Sequence, residues 1–321
     1  MEIHGHKIQL NFIIYDEDES GDFERYESYS IMVMTWLKMA FMYSRGSCSK
    51  ELTIYIYAID DKKYLPEKQM NILSPNNCNS AVTTSCMEKT EIIVYRREEW
   101  FKVLIHESFH SLGLDFAMYS TDIFKDKIEA IFPLKNLDIT ESYAEFWATI
   151  INCLFCSFNL LDRKSNFEKF MLYNSFFIQF EQIYSLLQMV KILNFMGIEY
   201  KSLYQKDPIS VSIRKYLYKE KTNVFAYYIL KCLLLFHCND FLHWCSKNNV
   251  HIFRFNRTPD NLMSFIDFIK KIYNSESFLD SLKNMKSFLK NIKKNNDTNN
   301  ININKFLRST RMTVCELVKK N

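Results

Sequence analysis

Two histidines four positions apart, His106 and His110, enclose an acid in the run Ile105-His106-Glu107-Ser108-Phe109-His110. On a helix, positions i and i+4 share one face, so both imidazoles can reach one metal ion. Glu107 lies about 100° round from His106. A carboxylate there is close enough to hold a metal-bound water without becoming a ligand. Imidazole is a good donor for zinc, and catalytic zinc takes three protein ligands plus a water. The chemistry this spacing allows is hydrolysis assisted by one Zn2+ per chain, with Glu107 as the base.

Such a site requires a helix, and the flanking residues predict one. Trp100, Phe101, Val103, Leu104, Ile105, Phe109 and Leu112 are apolar nearly all the way round, the pattern of a buried helix. Glu98 and Glu99 precede it, where a first turn favours negative charge, and Gly113 stands where a helix stops. Polar groups inside such a helix need partners, which weighs against a chance match of the three residues.

Two histidines do not complete the site. The pattern HExxHxxGxxH puts a third ligand on Phe116, which cannot bind a metal, and Asp115 is one residue off. Glu141, in Ile139-Thr140-Glu141-Ser142-Tyr143-Ala144-Glu145, is the other candidate. Glu145 follows it by four positions on the same helical face. Glu141 would then bind the metal, and Glu145 would accept the free N–H of a ligand histidine and fix its tautomer. The alternative makes both solvated surface acids. The mostly apolar neighbours Tyr143, Ala144, Phe146, Trp147, Ile150 and Ile151 argue against that.

With these pieces in place, the chain resembles the gluzincin metallopeptidases, a branch of the zincins. The matching residues are His106-Glu107-x-x-His110 on one helix and Glu141-x-x-Ala144-Glu145 on a second. More loosely, EEWFKVLIHESFHSLGLDF followed by ESYAEFWA is similar to uncharacterised predicted metallopeptidases of large DNA viruses. The informative part runs from Leu52 to Phe158. The resemblance implies a two-lobed peptidase with zinc at the floor of a cleft and a peptide or protein substrate. In such enzymes the strand edging the cleft pairs with extended substrate, and Ser80 to Ser85 is the candidate here. It also implies a donor for the oxyanion; Tyr227 and Tyr228, in NVFAYYILK, are candidates, each also suited to packing.

The elements that must position these residues follow from periodicity. Strands are predicted at Lys7–Tyr15, Leu52–Ile59, Ser80–Cys86 and Glu91–Tyr95, with a helix at Tyr29–Tyr43 and an acidic turn at Asp16–Asp22. Asp138 and Glu141 form a capping-box pattern opening a helix to about Phe158. Further helices are predicted over Asn166–Met196, Thr222–Lys247, Asp260–Tyr273 and Glu276–Lys294. The expected fold is α+β and zincin-like, with a small mixed N-terminal sheet and a mostly helical C-terminal lobe. The expected divisions are 1–115, ending with the histidine helix, a helical 116–294, and 295–321. The last comprises an Asn-rich linker, Asn295–Asn304, and an amphipathic segment, Phe306–Lys320, that can dock back on the body.

Composition narrows the alternatives. A chain of 321 residues that is 48% hydrophobic can bury a sizeable core, and five Gly with five Pro argue for long helices. The net charge of +4 does not call for nucleic acid. The basic stretch Lys283–Lys320 lacks the aromatic interleaving that base stacking uses. No secretory signal or membrane span is apparent, so a cytoplasmic protein with nine reduced cysteines is expected, in host cytoplasm or virion if the source is viral. Cys153-x-x-Cys156 reads as core packing. Cys238, His243 and Cys245 near His237 form a weaker second metal candidate. An inactive zincin serving as a binding or structural protein is the rival to the enzyme, and the intact Glu107 argues against it. The sequence leaves oligomeric state and substrate specificity open.

Overall fold

The computed structural model describes residues 1–14, 23–117, 119, 122–135, 137–295 and 301–316. The acidic turn at 16–22, the middle of the Asn-rich stretch and the last five residues lie outside them. Five strands, β1 (Glu2–Ile3), β2 (His6–Phe12), β3 (Glu51–Ile59), β4 (Ala81–Thr83) and β5 (Lys89–Arg96), form one sheet in the order β1-β2-β3-β5-β4. The central three run parallel, and both edge strands are antiparallel to their neighbours. Alternation explains the register: Leu10, Ile54 and Ile92 lie side by side across the sheet, and Ile54 and Ile92 are fully buried. Every strand of this sheet precedes residue 97, so the fold is α+β with a mixed N-terminal sheet and helices beyond.

Helix α1 (Phe23–Phe41) buries Val33, Trp36, Leu37 and Ala40. Its Trp36 Nε1 donates to Ser108 Oγ at 2.8 Å, tying it to the histidine helix α2 (Trp100–Ser111). Then come α3 (Asp122–Ile131), α4 (Thr140–Leu160), α5 (Phe167–Met196) and α6 (Pro208–Leu217). A π-helical turn and a half, Phe225–Leu230, leads into α7 (Lys231–Phe236), followed by α8 (Cys238–Asn248), α9 (Pro259–Ile272), α10 (Glu276–Asn295) and α11 (Ile301–Arg308). One continuous apolar cluster runs from Ile8 in the sheet to Met312.

Four local expectations are corrected. The segment 222–247 is not one helix: it turns by 91° at His237, between α7 and α8. No Gly or Pro marks that break, and the His237 ring is engaged by Ser275 Oγ at 3.1 Å. The cap of α4 is Ile139 rather than Asp138. Asp138 Oδ1 accepts from Thr140 N at 2.9 Å, and Glu141 is turned towards the histidines instead of back to the cap. At α2, Glu99 is the capping residue itself, in a left-handed conformation with φ 62°. Its carboxylate serves Lys63 and the C-terminal segment instead of the first turn. Finally, the cysteines are not all thiols: Cys48 and Cys86 form a disulfide, and the other seven are free and buried. The turn after α1 and the turn after β4 bring their Cα atoms to 4.7 Å, a proximity that spacing alone does not reveal. The compartment argument from uniformly reduced thiols therefore loses its basis. Among the described residues no single helix is long and apolar enough to cross a membrane.

Candidate metal centre

Helix α2 is buried from Trp100 to Ser111 with one exception, Glu107. Helix α4 is likewise buried from Thr140 to Cys153 except for Glu141. The two helices pack against each other, and the two acids open from an otherwise closed interface.

At that opening three donor atoms converge. His106 Nε2 lies 3.0 Å from Glu141 Oε2, His110 Nε2 lies 3.4 Å from the same oxygen, and the two Nε2 atoms are 3.1 Å apart. A tetrahedral ion with bonds of about 2.0–2.1 Å has donor–donor edges of roughly 3.3 Å. The triangle therefore has the size one ion requires. Among the described residues, this is the one group of three or more His, Cys, Asp or Glu side chains able to hold a metal. Cys153 and Cys156 instead pack with Cys315 in a small buried cluster. His237, Cys238, His243 and Cys245 form no such group.

Both ring nitrogens facing away from the triangle meet carboxylates. His106 Nδ1 is 3.3 Å from Glu145 Oε1. His110 Nδ1 is hydrogen-bonded to Asp115 Oδ2, whose other oxygen accepts from Ala117 N at 3.1 Å. Carboxylates so placed hold each ring in the tautomer that presents Nε2 to the triangle. Asp115, set aside in the sequence as a misplaced ligand, thus has a supporting position that only the turn after Gly113 could reveal. Sequence reasoning also missed Lys102, one turn before His106 on α2. Fully buried, it pairs with Glu145 Oε2, so Glu145 bridges a lysine and His106. A lysine in a helix apolar all round was the available signal.

The charges are strongly coupled. Burial opposes imidazolium at His106, but hydrogen bonds to Glu141 and Glu145 outweigh it and raise the group to about 9. Burial also opposes it at His110, where Glu141 and Asp115 prevail and raise it well above the ordinary value. Glu141 is held well below the ordinary carboxylate range despite its burial, chiefly by His110 and His106. Glu145 is likewise lowered, by Lys102 and His106 against burial. Burial raises Glu107, with the two imidazoles opposing. Protons thus balance the carboxylates where a cation would otherwise do so.

A pH dependence follows for the metal-free protein. The His106 value rises from 6.5 to about 9 on folding. Its contribution to stability is therefore complete below 6.5 and disappears as pH rises through about 9. The depressed Glu141 and Glu145 contribute above the ordinary 4.5 and lose this on acidification. Thermal unfolding of chelator-treated protein should show a midpoint falling between pH 6.5 and 9. A flat profile there would mean that the histidines do not carry the balancing protons.

The two tyrosines part company. The Tyr227 ring stands edge-on to His106, with centroids 6.1 Å apart. Burial, reinforced by Glu141 and Glu107, keeps its hydroxyl protonated. It is carried by the π-helical segment, a backbone form often found at functional sites. Tyr228, the next residue, donates to Thr310 O at 2.6 Å and serves the docking of the C-terminal segment.

Beside α2 lies β4, which among the described residues pairs only with β5 and is thus an edge of the sheet. Cys86 N, just beyond it, donates to His110 O at 3.0 Å. In comparisons with known proteins, no family model, curated protein or solved structure matches the chain.

Proposed function

We propose that the chain is a zinc-dependent metallopeptidase of gluzincin type, with His106, His110 and Glu141 as ligands. The observation that carries this reading is the triangle of donor atoms at tetrahedral-edge spacing, backed by Glu145 and Asp115, with Glu107 on the same helix. Two imidazoles and one carboxylate suit zinc, and a three-ligand set leaves a position for water and substrate. The mixed sheet, with its antiparallel edge strand against the histidine helix, is consistent with the upper lobe of a zincin.

Zinc bound there supplies a Lewis acid that polarises the scissile carbonyl and acidifies water. The protein's own groups do the rest. Glu107 takes the proton of the attacking water and passes it to the leaving amine. Tyr227, kept protonated beside His106, donates its hydroxyl to the oxygen that becomes negative in the transition state. Glu145 and Asp115 hold the ligand rings so that Nε2 stays free of protons. The unpaired side of β4 offers backbone groups to an extended peptide, aligning it beside Glu107.

The test is metal content and cleavage together. Purified protein should carry one zinc per chain and cleave a mixed peptide library. Chelation should abolish cleavage, and zinc should restore it. A zinc-loaded protein that leaves every peptide intact would favour the scaffold over the enzyme.

A further inference from the structure

Three arginines from separate stretches of the chain, Arg45, Arg254 and Arg257, gather at Asp115, behind the His110 ring. Arg257 Nε donates to Asp115 O at 2.7 Å, and its Nη2 lies 3.7 Å from Asp115 Oδ1. Arg45 and Arg254 stand close enough to repel Arg257 and each other. Among the described residues, the one carboxylate acting on Arg45 and Arg257 is Asp115. That carboxylate is already engaged by His110 Nδ1 and Ala117 N. Three positive charges thus share one negative charge that has other partners. Burial, together with Arg45 and Arg254, pushes the Arg257 guanidinium down to about 10 against the pull of Asp115.

The backbone holds the trio together despite this repulsion. Arg45 N donates to Leu112 O at 3.2 Å, and Arg45 O accepts from Cys48 N at 2.8 Å, next to the Cys48–Cys86 disulfide. Arg254 closes a turn in which its N–H donates to His251 O at 3.0 Å and its carbonyl accepts from Val250 N at 3.1 Å. The following residue, Phe255, donates its N–H to Leu114 O at 2.7 Å. Gly113 lets the side chains close in: a Cβ there would stand 3.2 Å from Arg45 Cδ and 3.3 Å from Arg257 Nη2. The guanidiniums are therefore brought together by rigid turns rather than by a chance of side-chain rotation.

A solvated surface arginine keeps its N–H groups in water. Here Arg45 Nε, Arg254 Nε and Arg257 Nη2 are each buried without a hydrogen-bond partner among the described residues, a costly state for a charged donor. None of the three residues is fully buried, so a small ligand can reach them. Guanidinium forks match the oxygens of phosphate, and a phosphate or phosphate monoester carries about −1.5 to −2 charges at neutral pH. That charge balances what Asp115 leaves over, whereas a carboxylate supplies a single charge and so does each phosphate of a nucleic acid. We propose that Arg45, Arg254 and Arg257 form a binding site for a small phosphate dianion, either the free ion or a monoester. The site lies behind the metal centre rather than in it, and it stands whether or not the chain cleaves peptides.

Titration calorimetry of the full chain with inorganic phosphate near neutral pH tests this. Phosphate should bind with a Kd at or below about 1 mM and raise the unfolding midpoint as its concentration passes that value. Arg45→Gln and, separately, Arg254→Gln should each weaken binding roughly 10–100-fold, as loss of a charge-assisted hydrogen bond does. Neither side chain is hydrogen-bonded within the described residues, so both variants should fold; if Arg45→Gln does not, Arg254→Gln decides. Adenosine monophosphate binding as tightly as the free ion would assign the site to small monoesters, and its failure to bind would assign it to inorganic phosphate. The absence of any heat up to about 10 mM phosphate overturns the proposal. A phosphate affinity unchanged in the variants overturns it too, since the ion would then sit elsewhere, on bound metal for instance. So does acetate binding as tightly as phosphate, which would make this a carboxylate site.

Discussion

Glu107→Gln should keep its zinc and lose its activity. The amide matches the carboxylate in size at the one position between Trp100 and Ser111 that is not buried, so α2 has no cause to repack. The three donor atoms and the carboxylates behind them lie on His106, His110, Glu141, Glu145 and Asp115, none of which is altered. What disappears, on the proposed mechanism, is the group that would accept the water's proton. Losing a general base costs about 10²–10⁴-fold in rate, or roughly 3–5 kcal/mol of barrier. The paired measurement is metal per chain by mass spectrometry and the rate of peptide-library cleavage, parent against variant. His106→Ala serves as the contrast, because it should lose metal and rate together. A Glu107→Gln protein that cleaves as fast as its parent would remove Glu107 from the mechanism and leave the α2–α4 site as a binding centre.

How far the sequence could be read depended on whether the relevant contact was periodic. His106, His110, Glu141 and Glu145 were legible because helical spacing fixes which side chains share a face, and the acids stood out against apolar neighbours. The sheet was legible for the same reason, through the alternation in β2, β3 and β5. Asp115 was not, since its approach to His110 depends on how the chain turns at Gly113, where φ is 64°. Tyr227 and Tyr228 were indistinguishable by type, and only the orientation of a π-helical segment separates them. The bend at His237 arises from packing in a stretch with no breaker. Least legible was the C-terminal segment, whose partners are scattered from Glu99 through Glu181 to Tyr228 and Lys231, far earlier in the chain.

That segment is held at Glu99, and Glu99→Ala should be the most destabilising single change near the site. The carboxylate is fully buried: Oε1 accepts from Met312 N at 2.7 Å and Thr313 N at 2.6 Å, and Oε2 faces Lys63 Nζ at 2.5 Å. Its backbone N–H donates to Glu316 Oε1 at 2.9 Å. Burial opposes ionisation, yet Lys63 and Lys102 outweigh it and hold Glu99 below the ordinary carboxylate value. Alanine would leave Lys63 charged, buried and unpaired, together with two orphaned amides. Breaking a buried pair in this way costs about 3–5 kcal/mol, a large part of the roughly 5–15 kcal/mol that keeps a domain folded. Glu99→Gln keeps an acceptor for the two amides but sets its NH2 against Lys63 Nζ, so its loss should be smaller than alanine's while still registering the broken pair. Urea unfolding of parent and both variants, with metal saturating throughout, gives the comparison. Zinc affinity should fall with stability in the alanine variant, because Glu99 caps the helix in which Lys102 steadies Glu145 and, through it, His106. A loss below about 1 kcal/mol, the level of an exposed ion pair, would mean that Lys63 and the C-terminal segment find other partners, and that α2 is held without them.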